Sequence, residues 1–80
     1  MSEAAEVFEI VARIRPLLAG KPACVQGAVL ADLLAMWVAG HHVAGNPAAT
    51  DEMRARLLSD HFEGVCKLTV INAHLNGTMP

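Results

Sequence analysis

The sequence predicts an all-α fold: three helices in an up-down-up bundle around a central apolar helix, completed by homodimerisation. Three observations carry this. Residues 23–40, ACVQGAVLADLLAMWVAG, are apolar on every side, with only Gln26 and Asp32 as polar interruptions. A helix apolar all round must be covered on most sides. Segments before and after it place apolar residues at helical spacing. The central run is also too long for a typical strand and lacks the β-branched and aromatic enrichment of a buried one. The helices are expected over residues 2–18, 22–40 and 47–75, in a single domain spanning 1–80.

The first helix opens on Ser2, a good N-cap, with Glu3 and Glu6 at the positive end of the helix dipole. Val7, Ile10, Val11, Ile14 and Leu18 share one face; Glu9 and Arg13 pair at i,i+4 on the other. Pro16 removes a hydrogen bond and crowds the preceding turn. A kink or an end is therefore expected near Arg15, followed by a tight link through Gly20, Lys21 and Pro22.

The central helix is built from Ala, Leu and Met, which favour helix. Pro22 suits its first position, and Gly40 suits a left-handed cap at its end. Gly27, Ala31, Ala35 and Ala39 recur every fourth residue as one ridge of small side chains. This ridge, with Trp37 as an anchor, is the expected interface with a second copy. The length approaches that of a membrane span. Asp32 at its centre argues against one, since a central charge costs about 3 kcal/mol on insertion scales. No membrane span is expected.

The third helix begins at Asn46-Pro47 as N-cap and first residue, with Thr50 as a competing start. Glu52, Arg56, Asp60, Glu63 and Lys67 form a charged stripe, read as a solvated face. Leu57, Leu58, Phe62, Val65, Leu68, Ile71 and Leu75 form the apolar side. Gly64 is a point where this helix would bend or restart. Asn76-Gly77 is a stop signal, and residues 76–80 are expected to fray.

Composition narrows the function. With 80 residues, the chain is 54% hydrophobic and only 4% aromatic, so its core is aliphatic and marginal in size. A net charge of −2, with scattered basic residues, argues against nucleic acid, which requires a basic patch. The acidic start MSEAAE is unlike a secretory leader, so a cytoplasmic location is expected, with Cys24 and Cys66 as reduced thiols near the core. His41, His42, His61 and His74 lack the spacing of a zinc site. Neither cysteine has a neighbouring base in sequence. No catalytic residue, metal or cofactor is expected.

Four polar residues remain to be explained. Arg54, His61 and Asn72 fall on the apolar side of the third helix, and Asp32 is the one acid of the central helix. A buried carboxylate requires a partner. Asp32 is therefore expected to bond Arg54 or His61, in the same chain or across a dimer. Two functions follow. The first is a small non-enzymatic interaction protein: a homodimeric adaptor, accessory subunit or regulator, with a further protein partner possible in principle. The second is a small-ligand-binding protein with its polar site at Asp32, Arg54, His61 and Asn72.

Overall fold

The structure is a computed structural model, described here for residues 2–77. It is all-helical, with three helices and no strand among the described residues: α1 (Glu3–Leu18), α2 (Ala23–Ala39) and α3 (Pro47–Leu75). The chain divides into two compact units, Met1–Leu33 and Leu34–Pro80.

In the first unit, Ser2 caps α1, its hydroxyl accepting from the Ala5 N–H at 3.1 Å. Glu9 accepts from Arg13 at 2.6 Å on the exposed surface. Pro16 lies within the helix, which continues to Leu18 rather than ending near Arg15. The physical reason is position. A proline in the last turn forfeits one hydrogen bond where the ladder is about to stop, and Ala19 N–H still reaches Arg15 O at 2.9 Å. Gly20, in the link that follows, adopts φ 77°, the left-handed region that suits glycine. The Gln26 amide, on the first turns of α2, then donates to Leu18 O at 2.8 Å, a carbonyl that also accepts from Lys21 N–H at 3.1 Å. The helix starts at Ala23. Pro22 stands just outside it and offers its carbonyl to Gln26 N–H at 3.0 Å.

In the second unit, α2 ends at Ala39. Gly40 does not adopt the left-handed conformation expected of it; the positive-φ glycines among the described residues are Gly20, Gly45 and Gly77. The end is closed by side chains instead. The Arg54 Nε donates to His41 O at 3.0 Å, and its terminal nitrogen donates to Ala39 O at 2.9 Å. A cation at the carbonyl end of a helix also meets the negative end of its dipole.

Asn46 caps α3, its Oδ1 accepting from Ala49 N–H at 3.0 Å, with Pro47 as the first helical residue. Thr50 is not a second start. It is buried, and its hydroxyl accepts from Val43 N–H at 2.9 Å. Its one proton lies between the carbonyls of Asn46 (3.0 Å) and Val43 (3.2 Å). Thr50 thus fastens the 43–46 turn to the helix that follows. α3 runs unbroken through Gly64 to Leu75. Asn76 and Gly77 end it, Gly77 at φ 69° with its N–H on His74 O at 3.1 Å. The expected fraying of residues 78–80 lies outside the described residues.

Among the described residues, Val38 is the buried hydrophobic side chain, at 8% exposure, and Thr50 is the buried polar one, at 9%. Large apolar side chains stand in the open on every helix, among them Phe8 (77%), Leu33 (47%), Phe62 (69%) and Leu75 (78%). No helix among the described residues is long and apolar enough to cross a membrane.

Candidate functional site

The second unit gathers its aromatic and polar side chains around the last turns of α2. His41 follows Trp37 by one helical turn. Its Nδ1 lies 2.8 Å from Trp37 O, and since a carbonyl only accepts, the proton sits on that nitrogen. The two rings meet edge to face at 5.2 Å between centroids. From α3, the His61 ring lies 5.4 Å from the same indole, tilted by 44°. Trp37 therefore meets two imidazoles while remaining partly open to solvent. Such packing uses the negative faces and positive edges of the rings.

Beside this cluster lies a groove of about 380 Å³, lined by Leu34 of α2 and by Leu58, His61, Phe62 and Val65 of α3. Four of the five are apolar, and the imidazole of His61 is the one polar group in the wall. Leu58, Phe62 and Val65 are all exposed.

The expected polar site is dispersed among other tasks. The Arg54 guanidinium is engaged with the two carbonyls that close α2. His61 is engaged with Trp37 and the groove. Asn72 donates to Leu68 O of its own helix at 2.9 Å and is exposed. Asp32 is exposed and lies in the first unit. It belongs to none of the ion pairs among the described residues, which join Glu9–Arg13, Glu52–Arg56 and Glu63–Lys67. Arg54 and His61, its expected partners, lie in the second unit.

The ridge of Gly27, Ala31, Ala35 and Ala39 is exposed along its length. A methyl group built on Gly27 would meet nothing within 4 Å. Cys24 and Cys66 are free and exposed, which corrects the expectation that they lie near the core. No group of three or more His, Cys, Asp or Glu side chains among the described residues is arranged to hold a metal ion.

Sequence reasoning missed the closure of α2 by Arg54 and the pairing of Trp37 with two histidines. One signal was present, since Trp37 and His41 are four residues apart, where helical side chains meet. The Arg54 contacts cross a loop and left no periodic trace. The chain matches no protein-family model, and no curated protein or solved structure aligns with it.

Proposed function

We propose that this chain is a small, non-enzymatic interaction protein that works as a homodimer, serving as an adaptor, accessory subunit or regulator. In this reading the three helices complete an up-down-up bundle only when a second copy covers their outer faces. The observation that carries it is exposure: a chain that is 54% hydrophobic leaves large apolar side chains open on all three helices. Soluble monomers seldom expose contiguous apolar surface of this kind; such surface marks an interaction site. The ridge of Gly27, Ala31, Ala35 and Ala39, with Trp37, offers close approach for another helix. Light scattering at micromolar concentration tests the reading. The expected mass is twice that of the chain; a monomer that stays soluble at high concentration overturns it.

One observation favours a second reading, binding of a small ligand. The groove beside Trp37 falls within the size range of small-molecule sites, about 300–1,000 Å³, and like them is apolar with a sparse polar lining. His61 is the polar side chain in its wall that could orient a ligand. An apolar fluorescent probe that binds once per chain, and whose binding is lost in Phe62→Ala, supports that reading. Absence of saturable binding removes it.

A further inference from the structure

We infer that two copies of this chain pair through their α3 helices, side by side and antiparallel, with Phe62 of each seated on small residues of the other. The inference rests on the homodimer reading above, but moves the contact from the small-residue ridge of α2 to α3 and adds a direction and a register.

The face is a seam on α3. Ala55, Ser59, Phe62, Cys66 and Thr69 follow one another in alternating steps of four and three residues. That alternation keeps a row of side chains on one side of a helix and on the contact line of a helix pair. All five are exposed, and Phe62 is the bulky one among them. A large knob between small residues requires small residues opposite it. When α3 is turned end for end on a copy of itself, Phe62 falls opposite the partner's Ser59, and Ala55 falls opposite the partner's Cys66. Each seam position between 55 and 66 then meets another seam position, as a two-fold interface demands.

The direction comes from charge. Beside the seam, α3 carries Glu52, Arg56, Glu63 and Lys67, whose signs run −, +, −, + along the helix. Read backwards, the same row runs +, −, +, −. Antiparallel helices therefore set Arg56 against the partner's Glu63 and Glu52 against the partner's Lys67, four attractive pairs per dimer. In a parallel two-fold pair the row lies on opposite sides of the two helices, and none of these pairs forms. The two-fold centre that these charges demand falls one residue from the centre that the seam demands, so paired charges are offset by two residues, about 3 Å along the helix. Long side chains span that easily. Asp60, the remaining charge of the stripe, is turned furthest from the seam.

The native thiol of Cys66 makes the register directly testable. In a Cys24→Ser background, Ala55→Cys places a thiol opposite the partner's Cys66, within the Cα separation a disulfide needs. Mild oxidation should convert this variant to a covalent dimer, while the Cys24→Ser parent should stay uncrosslinked, because its two Cys66 side chains are far apart along the antiparallel pair. Charge reversal gives an independent test. Arg56→Glu should weaken the dimer by roughly tenfold, since both symmetry-related pairs turn repulsive. Adding Glu63→Arg should restore it, although it breaks the second helix-internal pair, Glu63–Lys67, as well as the first, Glu52–Arg56. A purely intrachain effect would make the double variant worse. If the protein is a dimer by light scattering, yet Ala55→Cys does not crosslink and the double reversal does not recover, the α3 pairing is wrong and the homodimer reading stands. A monomer at every concentration removes both.

Discussion

Arg54 shows how much a single side chain can carry in a chain with a small core. Its two donors take carbonyls two residues apart at the end of α2, where backbone acceptors have no helical partner. Hydrogen bonds from a charged group contribute about 1.5–3 kcal/mol each when shielded. Arg54 is half-buried, so Arg54→Ala is expected to cost nearer the lower figure, about 1.5 kcal/mol, in urea denaturation. Arg54→Lys should recover little, because an ammonium cannot bridge two acceptors as a guanidinium fork does. Asp32 behaves oppositely. Sequence alone makes it the costly residue of the molecule, a carboxylate in an apolar helix. The exposure of its side chain removes the desolvation on which that cost depends. Asp32→Ala should therefore change stability by less than about 0.5 kcal/mol, as for other exposed substitutions. A large loss would show that a partner chain supplies the cation.

At the scale of the elements, periodicity and capping residues were legible because they act locally. Ser2 caps α1 and Asn46 with Pro47 opens α3, each through contacts within four residues. What escaped sequence reading was decided by context. Pro16 is tolerated because α1 stops two residues later. Gly40 needs no left-handed turn because Arg54 closes the helix from another element. Thr50 is taken by the loop before it rather than serving as a cap. The glycines give a pair of predictions with opposite signs. Gly64 lies inside α3, and a methyl group there meets nothing within 4 Å. Gly64→Ala should raise stability by about 0.5–1 kcal/mol, the helix-propensity difference between the two residues. Gly45 has equal space but sits at φ 71°. Gly45→Ala should lower stability by about 1–2 kcal/mol, the strain of a left-handed residue with a Cβ. Thermal melts of the two variants side by side would check both signs at once.

For the whole molecule, the sequence made plain that the chain holds three helices, and that its apolar residues outnumber what it can hide. The groove at Leu34, Leu58, His61, Phe62 and Val65 was not legible, because it depends on which side of α3 receives α2. Helical spacing alone put Arg54, His61 and Asn72 on one face without saying what each would meet. The balance of burial leads to the last prediction. Ordering each residue costs about 1–2 kcal/mol of backbone entropy, and apolar burial is the main term that offsets it. Here Val38, still 8% exposed, is the one buried large apolar side chain among the described residues, while Phe8, Phe62 and Leu75 remain more than two-thirds exposed. A chain in that condition draws its stability from whatever covers those side chains. If the cover is a second copy, folding and association are coupled and stability follows protein concentration. Each tenfold increase in concentration then adds about 1.4 kcal/mol to the apparent stability of the dimer. The midpoint of thermal unfolding, followed by circular dichroism, should climb by several degrees for each such step. Phe62→Glu should lower the midpoint and flatten its dependence on concentration together, since a carboxylate at the seam opposes the contact itself. A midpoint that stays fixed over a hundredfold range of concentration would mean that the three helices hold without a second copy, and that the exposed apolar side chains serve another partner.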